Sequence, residues 1–189
     1  MGTGARKRLD VRTLAIVGVL SALIFALSTI SIPIGDISRI HFGNIMCLLG
    51  GLLFGPGIGG ISAGIGSMLY DFTNPLYTPE FWITFLTKFA MGFVAGMLSR
   101  ALKDRLPTLL RYTVAGLAGS FTYLALYVLK SVIMQHYVYG NAWAVVWPLV
   151  GGKALISGIN GVVAVVASVM LAPVLRAALK AAKLAPNTM

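Results

Sequence analysis

Residues 42–75 read FGNIMCLLGGLLFGPGIGGISAGIGSMLYDFTNP, an apolar hairpin that ends in an abrupt polar cluster from Tyr70 to Pro75. Gly51, Gly55 and Gly59 lie four apart, and Gly60 and Gly64 repeat that spacing one residue on. Small residues at this interval make a flat stripe along a helix where another helix can approach closely, and in lipid such packing replaces the missing hydrophobic drive. A membrane bundle is therefore expected to pack around the hairpin. Gly55-Pro56-Gly57 splits the run into two short spans, and the polar residues at its end fall where a bilayer meets water. A binding site is expected to open at that end.

The rest of the chain fits a bilayer. Of 189 residues 58% are hydrophobic and 11% charged, with a mean hydropathy of +0.88, outside the range of ordinary soluble domains. Spans of roughly 20 residues with short loops allow about six helices at this length and leave no room for a soluble domain. One membrane domain over residues 1–189 is the expectation. The formal charge of +10 could suggest nucleic acid, but its placement argues otherwise. Arg6, Lys7, Arg8 and Arg12 precede the first apolar run, Arg100, Lys103, Arg105 and Arg111 fill the middle loop, and Arg176, Lys180 and Lys183 follow the last run. Those clusters are topology signals, and no nucleic-acid partner is expected. Cys47 stands alone inside an apolar run, which excludes an intrachain disulfide and a cysteine metal site.

Helices are expected over residues 13–32, 42–54, 58–72, 81–98, 112–134 and 148–175. The first follows a basic patch like that of a signal peptide, but it is long and lacks a small-residue cleavage site, so it reads as retained. Within it Gly18, Ala22 and Ala26 recur every four residues, a face for packing inside the bundle or for docking another subunit. Residues 33–41, with Asp36, Arg39 and His41, read as an outer link. Residues 73–80, with Pro75 and Pro79, read as a rigid loop able to fold over a site, and residues 135–147 as an aromatic outer segment. Gly151-Gly152 marks a place where the sixth helix can break. With the amino end inside, six spans return the carboxyl end inside and place all three basic clusters on the cytoplasmic side. The expected fold is an all-α polytopic membrane protein with six transmembrane helices and both termini cytoplasmic.

Four cations fall outside the clusters: Arg39, Lys88, Lys130 and Lys153. At about 1.5 Å per residue, Lys88 lies roughly 10 Å and Lys153 roughly 8 Å below the outer ends of their helices. A lysine near mid-bilayer costs on the order of 3 kcal/mol on insertion scales unless it snorkels or finds a partner. The alternative to snorkelling is a polar cavity shared with Asp71, Glu80 or a ligand. Lys130, close to its helix end, reads as a snorkelling residue. Helical spacing puts Tyr123, Tyr127 and Lys130 on one face, Lys153 and Asn160 on another, and Thr84 with Lys88 on a third. If these faces converge, the outer half of the bundle holds a pocket with aromatic walls, ammonium groups and an amide, suited to a flat polar small molecule. Tyr70, Tyr77, Trp82, Trp143 and Trp147 read chiefly as an interfacial aromatic belt.

Catalytic patterns are missing from the sequence. His41 and His136 have no metal-ligand spacing to a neighbour and read as interfacial polar residues, so no metal site is expected. There is no Ser/His/Asp set or paired-carboxylate motif, and the glycine-rich run lacks the Gly-Lys-Ser/Thr ending that grips phosphate. The chain reads as neither an enzyme nor a nucleotide-driven motor, and no cofactor is implied.

At this point the sequence resembles the S components of energy-coupling factor (ECF) vitamin transporters, specifically the riboflavin group. The resemblance lies in His41-Phe42-Gly43-Asn44, in Leu53-Phe54-Gly55-Pro56 with Gly60, Gly64 and Gly66, in Asp71, in residues 81–88 (FWITFLTK) and in Asn160-Gly161. It covers residues 42–96 well and the remainder by size and span count. It implies a six-helix protein of the bacterial cytoplasmic membrane that captures a vitamin or precursor at its outer side. Energy would come from a membrane-embedded coupling subunit with two ATPases, which Ala22 and Ala26, in the family's Ala-x-x-x-Ala pattern, would contact together with Gly18. Lys88 and Asn160 carry over as substrate-binding positions, joined by Asp71 and Asn44. The geometric set of Tyr123, Tyr127, Lys153 and Thr84 completes the candidate site. Riboflavin or a pyridoxine- or pyrimidine-type precursor is the implied substrate range.

Two other classes compete. A stand-alone secondary transporter or channel would usually need more helices, inverted repeats or a membrane carboxylate for proton coupling, and Asp71 near the interface serves that role poorly. A small membrane enzyme acting on lipids would need more than five acidic residues lying mostly in loops.

Overall fold

The computed structural model describes residues 10–34, 38–75 and 77–182. Six α-helices dominate these residues: α1 (Val11–Thr29), α2 (Gly43–Phe54), α3 (Pro56–Asp71), α4 (Phe81–Ala101), α5 (Thr108–Ile133) and α6 (Trp143–Ala181). A two-stranded antiparallel ribbon, β1 (Ser31–Ile34) with β2 (Ser38–His41), joins α1 to α2. Arg6, Lys7, Arg8, Asp36 and Lys183, which contribute to the basic clusters and the outer link in sequence, lie outside the described residues.

The hairpin α2–α3 is the centre of the bundle. At 12 residues α2 is about 18 Å long, well short of the roughly 30 Å of hydrocarbon in a bilayer. It packs against all five other helices, and Cys47, Leu48, Leu49, Leu52 and Leu53 are buried there. A helix sheathed in protein need not reach both interfaces. The helical stretches long and apolar enough to cross a membrane are Val11–Thr29, Thr78–Ala101, Thr108–Val138 and Trp143–Ala181.

The glycines act where α2, α3 and α4 cross. A Cβ at Gly92 would stand 2.7 Å from the Gly59 carbonyl oxygen, and one at Gly59 would strike the Gly51 backbone. Three helices thus touch main chain to main chain, an approach that any side chain would prevent. The turn between α2 and α3 is tighter than a Gly55-Pro56-Gly57 loop. Only Gly55 breaks the helices, at φ +85°, while Pro56 opens α3, where its missing N–H leaves no bond unmade. Arg100 Nη2 donates to the Phe54 carbonyl at 3.1 Å, so the guanidinium occupies the space a Gly55 side chain would need.

The ribbon departs from the expected outer link. Helix α1 ends at Thr29 rather than running to residue 32, and β1 and β2 pair in the register Ser31↔His41 to Ile34↔Ser38. The reason is local: Pro33 cannot donate to a helical ladder, and Ile30, Ile32 and Ile34 favour extended backbone. The short ribbon stands in place of the expected outer link, within an otherwise all-helical fold. Helix α6 also differs: it starts at Trp143 and continues unbroken through Gly151-Gly152 for 39 residues, about 58 Å, with Pro148 and Pro173 inside it. Residues 134–138 ahead of it form a π-helical turn.

On α1, Leu20, Ser21, Ile24 and Ser28 are buried, and the helix packs against α2 and α3. Gly18, Ala22 and Ala26 are exposed, and a Cβ added at Gly18 meets nothing within 4 Å. Of the two uses open to that small-residue face, packing within the chain is not the one the fold makes.

Candidate functional site

One end of the bundle encloses a polar cavity of about 240 Å³. The carboxyl ends of α1, α3 and α5, the amino-terminal parts of α4 and α6, and strand β2 converge on it. Asp71, Thr84, Lys88, Tyr123, Tyr127, Lys153 and Asn160, spread along the sequence, all line it. Asn44 does not; it lies beneath the floor.

Lys88 is the least exposed cation among the described residues, at 4%, and its ammonium donates to the Oδ1 of Asn44, itself 1% exposed. The same Nζ stands 3.6 Å from the centroid of the Tyr123 ring. Tyr123 stacks on Tyr127 at 5.8 Å between centroids, as their four-residue spacing on α5 predicts. Both partners of Lys88 are uncharged, so they soften its burial without neutralising it. Four buried polar atoms at this end have no partner among the described residues: Asp71 Oδ2, His41 Nδ1, Asn44 Nδ2 and Ser131 Oγ. Unpaired buried polar groups are costly in a closed fold and are useful where a ligand supplies the missing bonds.

Asn160 is engaged by backbone. Its Oδ1 accepts from the His41 N–H at 3.2 Å and its Nδ2 donates to the Arg39 carbonyl at 2.8 Å. The amide clamps β2 across the cavity wall, and so fixes where Arg39 and His41 stand.

Arg39 and His41, outside the candidate set read from the sequence, line the cavity together with Tyr77, Glu80 and Lys130. Arg39 donates from Nη1 to the Ser28 carbonyl at 2.8 Å, and its guanidinium covers the Tyr70 ring at 3.6 Å, with Tyr77 at 5.4 Å. His41, expected as an interfacial polar residue, instead lines the cavity. Burial, reinforced by the charges of Lys88 and Arg39, holds its imidazole well below the ordinary value of 6.5, so it stays neutral. Burial likewise raises the Tyr77 phenol above its ordinary value. Lys130, expected to snorkel, instead forms an ion pair with Glu80 at the rim, its Nζ 5.6 Å from the Tyr127 ring centroid. Alternation along β2 could have placed Arg39 and His41 on one face, but nothing local in the sequence marks four residues beside a proline as a strand.

Among the described residues no group of three or more His, Cys, Asp or Glu side chains could hold a metal. The cavity presents cations, hydroxyls, amides and aromatic faces, a set suited to binding and orienting a small polar molecule.

The family model for the ECF-type riboflavin transporter, S component, matches residues 8–180. Six chains of solved structures match. One of them, described as "Structure and mechanism of the S component of a bacterial ECF transporter", aligns with a TM-score of 0.60 at 22% identity, covering 89% of this chain and 98% of that one. At that identity the likeness speaks for the fold. No curated protein matches.

Proposed function

The chain belongs to the ECF-type riboflavin transporter S component family, and from that membership we propose that it captures a vitamin or related micronutrient in the cavity under the β-ribbon. An S component is a substrate-binding subunit and not an enzyme. In this reading riboflavin or a pyridoxine- or pyrimidine-type precursor enters from the outer face of the bacterial cytoplasmic membrane. A membrane coupling subunit and two ATPases then drive its delivery. Six spanning helices with both termini cytoplasmic complete the proposal, supported by Arg12 at the start of α1, Arg100 at the end of α4, Arg111 at the start of α5 and Arg176 and Lys180 near the end of α6, all at helix ends opposite the cavity.

The observation that carries this reading is the gathering of Lys88, Asp71, Arg39 and His41 around one polar cavity at one end of an apolar helical bundle. Such a concentration of polar groups at membrane depth marks a substrate site. The other end offers Arg100, Lys103, Arg111 and Arg176 around a space of only about 20 Å³, too small for a vitamin.

The test is reconstitution. Vesicles containing this protein alone are expected to bind the compound it co-purifies with but not to accumulate it. Accumulation against a gradient should require the coupling subunit, the ATPases and ATP. Accumulation by the protein alone without ATP would replace this reading with a stand-alone carrier.

A further inference from the structure

The charges around the cavity do not balance. Arg39, Lys88, Lys130 and Lys153 line it against Asp71 and Glu80, and Lys130 and Glu80 are taken up with each other. Three cations therefore face one carboxylate. No carboxylate among the described residues forms an ion pair with Arg39, Lys88 or Lys153. The chain has five acidic residues in all, and two of them, Asp10 and Asp104, stand at the opposite end, before α1 and after α4. Asp36 is the only one left. Counting it with the cavity still leaves cations in excess.

The contacts of Lys88 and Arg39 are uncharged. Lys88 has the Asn44 amide oxygen and the Tyr123 ring, and Arg39 has the Ser28 carbonyl and the faces of Tyr70 and Tyr77. Neutral dipoles satisfy hydrogen bonds but leave the net charge of a poorly solvated space uncompensated. Removing that excess is work that a ligand can do.

We infer, resting on the capture reading above, that the molecule this cavity takes carries an anionic oxygen group, a carboxylate or a phosphate, seated among Arg39, Lys88 and Lys153. The rest of the molecule lies against Tyr123 and Tyr127, and its hydrogen-bond donors meet the open Oδ2 of Asp71. A neutral vitamin leaves the cationic excess in place, so within the proposed substrate range the cavity selects the acidic or phosphorylated members. This also agrees with the uncharged His41, which can accept or donate a hydrogen bond without adding to the positive charge.

Two measurements on the full-length protein in detergent test the inference. In the first, purified protein is exposed to a cell extract, washed, and its retained compound identified by mass spectrometry. In the second, equilibrium binding compares matched pairs that differ by one anionic group: nicotinate with nicotinamide, pyridoxal 5′-phosphate with pyridoxal, and flavin mononucleotide with riboflavin. An anionic retained compound is expected, and in any pair that binds, the anionic member should be at least about tenfold tighter, the scale of one charge-assisted hydrogen bond. Lys153→Gln, at the less buried cation, should shrink that advantage toward the affinity ratio expected without its charge. A neutral or cationic retained compound, or a neutral partner bound as tightly as its anion, would overturn the inference and leave the capture reading standing. Retention of nothing, with no member of any pair bound, would overturn both.

Discussion

The ammonium of Lys88 on α4 lies 3.6 Å from the centre of the Tyr123 ring on α5. This pairing joins two helices at the floor of the cavity, with Asn44 of α2 accepting the lysine's hydrogen from below. A charge held this way is fixed in place by neutral groups and keeps its electrostatic reach into the cavity.

Asn160→Ala removes both hydrogen bonds from the Asn160 amide to the Arg39 and His41 backbone. Each is worth about 0.5–1.5 kcal/mol net, so amide exchange at His41 should quicken by roughly three- to tenfold or more, with weaker ligand binding. Hydrogen exchange read by mass spectrometry checks this. Unchanged exchange alongside weaker binding would make Asn160 a ligand contact alone.

The pH response of His41 has a definite sign. Its folded pKa lies below the 6.5 of an unfolded histidine, so below about pH 6.5 the unfolded chain binds a proton that the folded one refuses. This contribution therefore destabilises the fold as pH falls from about 6.5, by at most about 1.4 kcal/mol per pH unit until the folded pKa is reached. Melting temperature measured between pH 5 and 8 should decline on the acid side, and His41→Gln should flatten that limb. An equal acid limb in the variant would assign the loss to other groups.

The glycine crossing predicts a contrast between two substitutions. Gly92→Ala pushes a Cβ against the Gly59 carbonyl, a backbone atom that cannot swing aside, and overpacking of this kind costs about 1–3 kcal/mol. Gly151→Ala meets nothing within 4 Å and removes a glycine from a helix interior. The melting temperature of the first variant should fall and that of the second should hold or rise.

Much of the bundle is legible in the sequence for a simple reason: long apolar runs in a basic-flanked chain have few alternatives to helices in lipid. Lys88 is legible too, because an ammonium at that depth is expensive wherever its partners come from. What cannot be read is pairing over distance. Lys130 and Glu80 lie 50 residues apart, and Asn160 reaches backbone atoms about 120 residues away, whose identity no side chain announces. The ribbon is hidden for a different reason. Its strands are four residues long, shorter than any periodicity can resolve, and they carry the two cavity residues, Arg39 and His41, that a loop reading passes over.

The outward face of α1 separates binding from transport. Ala22→Leu with Ala26→Leu adds bulk where the chain itself packs nothing, so ligand affinity should stay within about twofold. Uptake by the reconstituted complex should be lost if another helix must approach that face. Equal loss of binding and uptake would return the face to internal packing.

The cavity itself is tested most directly at Lys88. Lys88→Met keeps much of the side-chain length and removes the charge and the donor to Asn44. A binding titration on folded variant protein, with the compound the parent retains from cell extract, should show affinity lower by about ten- to a hundredfold. That corresponds to the roughly 1.5–3 kcal/mol of a charge-assisted hydrogen bond in a desolvated site. A Lys88→Met protein that melts like the parent and binds as tightly would contradict the placement of the capture site in this cavity.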